Sequence, residues 1–142
     1  MIPFRQVHLD FHTSEAIPGI GEKLDKKQFQ GALEMGHVDS ITIFAKCHHG
    51  WSYYPSKINA IHPNLKFDLL KAELEACREI DVHAPVYLSA GFDERMAREH
   101  PEWLIRKPDE TLSDTATFME PGYHRMCYNT PYLDKLLAEL RE

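Results

Sequence analysis

The sequence predicts an α/β fold built on a parallel sheet. Three segments have the composition of β-strands, two helix-like segments separate them, and a further helix follows a long excursion. This alternation builds parallel sheets with right-handed crossovers. The pattern alone fits both an open sheet and a barrel. A complete eight-stranded barrel needs about 250 residues, so the 142 residues here would make up under half of one.

The first strand is predicted over residues 6–12, where apolar and polar side chains alternate along the chain. The apolar face carries Val7, Leu9 and Phe11, and the polar face carries His8, Asp10 and His12. A helix is predicted from Asp25, because Asp25 and Gln28 form a capping-box pattern. Gly36 is predicted to end that helix.

The second strand is predicted over residues 40–47, a nearly continuous apolar run that is typical of a strand buried on both faces. An amphipathic helix is expected over residues 68–80, with Leu70, Leu74 and Cys77 on its inner face. The third strand is predicted over residues 83–89.

Beyond the third strand the pattern is less regular. A short helix is predicted over residues 95–100, and Pro101 ends it. Residues 108–122 are predicted to form a long loop. The last helix is expected to begin at Thr130 and Pro131 and to run through Glu142.

Composition narrows the classes of partner. The formal net charge of -6 argues against nucleic-acid binding, because phosphate contacts need clustered Lys and Arg. No basic leader with an apolar run and no membrane-length apolar segment is present, so we expect a cytoplasmic protein that does not bind a membrane. Three cysteines at unrelated spacings describe neither a disulfide framework nor a zinc ribbon.

The candidate functional residues follow the predicted strands. In parallel α/β barrels, ligand-binding groups lie at the carboxyl ends of the strands. Aromatic side chains suit the apolar face of a sugar, and histidines and carboxylates suit its hydroxyl groups. We therefore expect a polar pocket at one rim. Its candidate substrate-binding residues are Asp10, His12, His48, His49, Trp51 and Tyr87. The alternative for the first strand is a solvated polar stripe on an edge strand, and Trp51 could instead be a core residue.

A resemblance supports this hypothesis. The segment from Lys46 to Trp51 (KCHHGW), followed by Ser56 and Lys57, resembles the motif after the second strand of α-L-fucosidase-type glycoside hydrolases. Nearly the whole chain resembles a group of hypothetical glycoside hydrolases that share the barrel. The resemblance implies that the chain is the N-terminal part of a catalytic (β/α)8 TIM barrel, comprising its first three βα units and a following helix. It also implies a carbohydrate substrate, with paired histidines that hold sugar hydroxyls.

The sequence departs from the motif at two positions. In an ungapped register, Cys47 occupies the place of the first paired histidine, and His49 occupies that of the motif aspartate. In that register only His48 corresponds directly to a sugar-binding histidine of the motif. In such enzymes the nucleophile follows the fourth strand, which the resemblance places after the last helix. We therefore leave the catalytic residues unassigned. Near the strand ends the carboxylates are Asp10, Asp93 and Glu94.

We expect the 142-residue chain alone to be inactive, because glycoside hydrolysis needs two positioned carboxylates. Its unpaired sheet edge predicts self-association into a homo-oligomer.

Two other functions fit parts of the sequence. His8, Asp10 and His12 resemble the metal motif of amidohydrolase-type barrels, which residues 47–49 could complete. The chain could also be a non-catalytic carbohydrate-binding fragment. The leading hypothesis needs neither a metal nor another cofactor.

Overall fold

The computed structural model describes residues 3–113 and 122–142, and its centre is a three-stranded parallel sheet. The strands are β1 (Gln6–His8), β2 (Ser40–Lys46) and β3 (Val86–Leu88), and β2 lies in the middle. The predicted α/β class with a parallel sheet is therefore confirmed. All residues of β2 except Thr42 are buried, as its apolar composition predicts.

The strand β1 is shorter than the predicted segment 6–12. Its ladder with β2 ends near Thr42, and the chain then leaves the sheet. The hydroxyl of Tyr53 donates to the carbonyl of Phe11 at 3.0 Å and accepts the amide of Thr13 at 3.2 Å. The backbone hydrogen bonds at Phe11 and Thr13 are therefore made to the Tyr53 side chain and not to a neighbouring strand. The predicted inner face of β1 is also not fully covered, because Val7 is 39% exposed at the sheet edge.

The first helix, α1 (Lys26–Met35), has the predicted ends. The carboxylate of Asp25 accepts a hydrogen bond from the amide of Gln28 at 2.8 Å. This bond satisfies one of the free amide donors of the first turn. Gly36 follows the last helical residue, but its φ is -77°, and the left-handed residue is His37 with φ 50°. The N–H of Val38 donates a hydrogen bond to the carbonyl of Leu33, so the helix ends in a Schellman motif with His37 at the left-handed position.

The second helix, α2 (Leu69–Glu79), begins after Asp68, whose carboxylate accepts the amide of Lys71 at 2.9 Å. Helices α1 and α2 pack on each other and against the sheet. Their shared core is centred on Leu33, Ile41, Ile43, Cys77 and Val82, and Leu70 and Leu74 pack against it. The predicted inner face of α2 is therefore confirmed.

Two further helices, α3 (Glu94–Glu99) and α4 (Tyr132–Arg141), cover the region after β3. A 3-10 turn over Pro101–Trp103 follows α3. The hydroxyl of Thr130 accepts the amide of Tyr132 at 3.3 Å, which agrees with the predicted start of the last helix. A core of residues from this region packs together: Met96, Ala97, Leu104, Met126, Tyr132 and Leu136.

The predicted loop 108–122 lies mostly outside the described residues, because positions 114–121 are not described. Within the described part of the chain, no helix is long and apolar enough to cross a membrane.

Candidate functional site

Two histidines from neighbouring strand ends stack at the carboxyl end of the sheet. The rings of His12, after β1, and His48, after β2, lie 3.9 Å apart at 23°. The backbone N–H of His48 donates to Nδ1 of His12 at 3.0 Å. The structure thus brings together two of the residues that the strand-end argument selected, and we call His12 and His48 the histidine pair.

The hydrogen bonds assign the tautomer of His12. Because Nδ1 accepts an N–H, it carries no proton, and the neutral ring has its proton on Nε2. Nε2 lies 3.1 Å from a carboxylate oxygen of Asp10, which suits a protonated nitrogen. Burial lowers the pKa of His12, against the opposing effect of Asp10. A second proton would also have to sit on Nδ1, facing the His48 amide, so the ring stays neutral.

His48 has the opposite tautomer. Its Nδ1 lies 2.6 Å from the hydroxyl of Ser89, and that hydroxyl donates its proton to the carbonyl of Phe92. Ser89 must therefore accept from His48, so the proton lies on Nδ1 and Nε2 keeps a lone pair. Burial first, and then the neighbouring His12, lower the pKa of His48 to about 4. No group among the described residues is hydrogen bonded to Nε2, which can accept a hydrogen bond from a ligand.

Tyr87 of β3 completes this side of the site. Its ring stacks on Phe44 at 4.3 Å and lies about 6 Å from both rings of the histidine pair. Its hydroxyl lies 3.5 Å from Nδ1 of His48. Three strand ends therefore contribute to one cluster, as expected from their order in the sheet.

His49 lies beside this cluster and contacts it through Tyr123. Nε2 of His49 and the hydroxyl of Tyr123 are 3.1 Å apart, and the Tyr123 ring lies 5.1 Å from that of His48. Burial lowers the pKa of His49 as well. Sequence reasoning selected neither Tyr123 nor Ser89. Tyr123 follows a long irregular segment, and the role of Ser89 depends on a carbonyl three residues later.

Trp51 lies apart from the histidine pair. Its indole N–H donates to Glu15 at 3.3 Å, and it lines a separate cleft of about 140 Å³ together with His49. The same side chain packs against the core around Phe44 and Tyr53. Trp51 is therefore both a cleft residue and a packing residue.

The loop that carries His48 and His49 is fixed to the start of α3. The amides of Glu94 and Arg95 donate to the carbonyls of His48 and His49, at 2.9 and 3.2 Å. Gly50 allows this close approach. Its φ is 88°, and a Cβ there would lie 2.2 Å from a carboxylate oxygen of Asp93. A larger residue would strain the backbone and displace the loop.

A buried ion-pair network lies beneath this loop. The ammonium of Lys46 is fully buried, 3.1 Å from Asp93 and 2.7 Å from Glu139. Glu139 also pairs with Lys135, which contacts Asn59. The network joins β2, the start of α3 and α4, and so holds the histidine loop in place.

Comparison with known proteins identifies the family. Residues 25–142 match the family of hypothetical glycosyl hydrolase 6. The chain belongs to this glycosyl hydrolase family. The α-L-fucosidase isoenzyme 2 from Paenibacillus thiaminolyticus is 55% identical and superposes with a TM-score of 0.96 over 99% of this chain. The resemblance to fucosidase-like glycoside hydrolases is thereby confirmed. The chain covers 21% of that enzyme, about a fifth of its length.

Two more distant structures share the fold alone. A hypothetical protein from Ruminiclostridium thermocellum superposes with a TM-score of 0.57 at 11% identity, over 82% of this chain and 63% of that one. An α-amylase from Lactobacillus plantarum superposes with a TM-score of 0.51 at 15% identity, over 96% of this chain and 35% of that one. No curated protein matches the chain.

The positions of the carboxylates matter for a member of a glycosyl hydrolase family. Asp93 is fully buried, pairs with Lys46 and caps α3 through the amide of Met96. Glu94 is 7% exposed and accepts hydrogen bonds from the amide and Nδ1 of His124. Asp10 is 67% exposed beside the histidine pair. Of the three carboxylates that the sequence placed near strand ends, Asp10 is the one exposed beside the histidine pair, whereas Glu94 lines the cleft that contains Trp51.

The residues proposed for the rival metal site do not form a ligand set. Across residues 3–113 and 122–142, no group of three or more His, Cys, Asp or Glu side chains is placed to hold a metal ion. Cys47 is fully buried and directs its thiol to the carbonyl of Thr13. In each histidine of the pair, Nδ1 is already in a hydrogen bond to the protein.

Proposed function

We propose that the chain forms the sugar-binding part of a glycoside hydrolase, within the first three βα units of a (β/α)8 barrel. The observation that carries this proposal is the histidine pair, whose tautomers are set by protein hydrogen bonds. The pair presents Nε2 of His48 as an acceptor, and the Asp10 carboxylate accepts beside it. Two adjacent acceptors can bind neighbouring hydroxyl groups of one sugar ring.

The low pKa of His48, about 4, supports the same role. A protonated Nε2 would donate instead of accept and would lose the match to a hydroxyl proton. Because burial keeps this ring neutral, the acceptor persists at neutral pH. The aromatic ring of Tyr87 adds an apolar surface next to the pair, which suits the C–H face of a sugar.

L-Fucose is the sugar to test first, since the 55% identical structure is an α-L-fucosidase. In a titration followed by NMR, L-fucose should shift resonances of His12, His48 and Tyr87, and D-glucose should do so less. His48→Ala should weaken binding by about five- to tenfold, because a buried hydrogen bond to a ligand is worth roughly 1–1.4 kcal/mol.

The matched control is His83→Ala. His83 is an exposed histidine before β3, at the opposite end of the sheet from the carboxyl ends of the strands. Only its backbone forms hydrogen bonds to the neighbouring strand. This variant should bind as the wild type does. If no monosaccharide changes the spectrum of a folded sample, or if both variants weaken binding equally, the sugar site is not at the histidine pair.

We also propose that hydrolysis needs carboxylates that this chain does not supply. The reaction requires two carboxyl groups on opposite sides of the glycosidic bond, and Asp93 and Glu94 are held in buried pairs. The 142-residue chain should therefore not cleave nitrophenyl glycosides, whereas a longer chain that spans the following βα units should. Turnover by the 142-residue chain would place the active site among its own carboxylates.

A further inference from the structure

A cleft lies beside the histidine pair. This cleft, which we call the Trp51 cleft, has a volume of about 140 Å³. Its lining residues are Glu15, His49, Trp51, Glu94, Arg95, Arg98 and Glu99. That volume holds about five water molecules at roughly 30 Å³ each, which suits one small ring that keeps part of its surface in solvent.

The Trp51 cleft is adjacent to the histidine pair because the same two loops contribute residues to both. Its walls continue the loops that carry the pair, because Glu15 follows His12 by three residues and Trp51 follows His48 by three. His49 connects the cleft to the pair, since it lines the cleft and hydrogen bonds to Tyr123, whose ring contacts His48. His49 and Tyr123 are therefore the residues through which the pair and the cleft are in contact.

The charges of the cleft favour a neutral polar ligand. Each guanidinium is already paired: Arg95 with Glu99 at 2.7 Å, and Arg98 with Glu15 at 3.3 Å. Three carboxylates face two guanidiniums, so the cleft carries no positive charge for an anion. Carboxylate acceptors and guanidinium donors side by side can bind hydroxyl groups in both directions. The pair of Arg98 and Glu15 is half exposed, and such a pair is weak enough for a ligand to share.

The walls of the cleft are also fixed relative to the histidine pair. Arg95 donates to Asn59 at 2.9 Å and lies over the Trp51 ring at 5.7 Å. The helix α3, which carries both arginines, donates its first amides to the carbonyls of His48 and His49. A ligand that spans both sites thus meets two surfaces whose separation is already set, which reduces the ordering that binding requires.

From these contacts we propose that the Trp51 cleft binds a second sugar residue, linked to the one that the histidine pair holds. This inference rests on the proposed function, because it takes the first sugar to lie at the pair. The ligand class is a neutral disaccharide or longer glycan, and not a monosaccharide alone.

The test compares methyl α-L-fucopyranoside with the disaccharide α-L-fucosyl-galactose on the 142-residue chain. The chain has two tryptophans, Trp51 and Trp103, so its two indole N–H resonances provide a reporter and an internal control. The disaccharide should bind about tenfold more tightly, the worth of one hydrogen bond to a charged group. It should shift the indole resonance of Trp51 and leave that of Trp103, which stacks on His100, in place.

Arg98→Ala should remove the gain for the disaccharide and leave the affinity for the methyl fucoside unchanged. The control Arg78→Ala alters an exposed arginine in the last turn of α2 and should keep the gain. If the methyl fucoside binds but the disaccharide gains nothing, or if the Trp51 resonance does not move, the cleft is not a sugar site and the proposal for the pair stands. If neither ligand binds, both proposals fall.

Discussion

Removal of the Lys46 ammonium should strongly destabilise the fold. Lys46 is fully buried and lies between Asp93 and Glu139, whose side chains are 0% and 1% exposed. In Lys46→Met the two carboxylates lose this shared cation while they remain buried. Breaking a buried pair by removing one partner costs about 3–5 kcal/mol, because an uncompensated charge is left in the interior. That is a large part of the roughly 5–15 kcal/mol that holds a domain together.

The assay is urea unfolding followed by circular dichroism, with Lys71→Met as the matched control. Lys71 is 68% exposed and contacts Glu75 at 3.9 Å on the surface of α2. A surface pair of this kind contributes about 0.2–1 kcal/mol at most. The free energy of unfolding should therefore fall by about 3 kcal/mol or more in Lys46→Met and by less than about 1 kcal/mol in Lys71→Met. A loss below about 1 kcal/mol in Lys46→Met would refute the claim that this network holds the histidine loop.

Three further predictions concern single residues. Burial raises the pKa of Glu73 to about 7, so the folded state favours the protonated carboxyl group. The stability that this protonated form provides is therefore lost as the pH rises from about 4.5 through about 7. Glu73→Gln should hence raise the free energy of unfolding by roughly 3 kcal/mol near pH 8 and change it little near pH 4, and an equal effect at both pH values would contradict this. In urea unfolding, Gly50→Ala should lower the free energy of unfolding by at least about 1–2 kcal/mol, because the backbone there is left-handed. Gly31→Ala should raise it by about 1 kcal/mol, because Gly31 lies within α1 and a Cβ there meets nothing within 4 Å. Ser89→Ala should remove the acceptor that keeps the proton of His48 on Nδ1, so ring ¹⁵N shifts should change from the Nδ1–H tautomer to a mixture, and an unchanged tautomer would mean that Ser89 does not set it.

Features that depend on neighbouring residues could be predicted from the sequence. The caps at Asp25 and Asp68 lie at the expected helix starts, because a capping side chain bonds to an amide three residues later. The convergence of His12 and His48 follows from the rule that parallel strands present their carboxyl ends at one edge. These inferences need only local spacing and the order of the strands.

Features that depend on distant partners could not be predicted. The end of β1 depends on Tyr53, about forty residues away, whose hydroxyl binds the backbone around Phe11 and Thr13. Trp51 lines a cleft of its own and directly follows Gly50, whose backbone has a positive φ. Spacing after a strand does not reveal such a backbone conformation, and spacing alone therefore places Trp51 with the histidines.

The residues that resemble the motif of α-L-fucosidase-type enzymes mainly hold neighbouring elements together in this structure. Lys46 binds the buried carboxylates, and Gly50 lets the loop approach Asp93. The hydroxyl of Ser56 and the amide of Lys57 both donate to the carboxylate of Glu142 after α4, so the serine-lysine end of the motif holds that helix.

The departures from the motif can then be judged by position. Cys47 fills a fully buried place and directs its thiol to the carbonyl of Thr13, so this change alters packing beneath the site and not the surface that meets a ligand. In the ungapped register, His49 stands at the place of the motif aspartate, where the histidine pair borders the Trp51 cleft. An aspartate there would add a negative charge beside Glu15 and Glu94, whereas burial keeps the histidine neutral by lowering its pKa. On our proposal that the Trp51 cleft binds a second sugar, His49 should therefore affect the binding of that sugar more than the binding of the first.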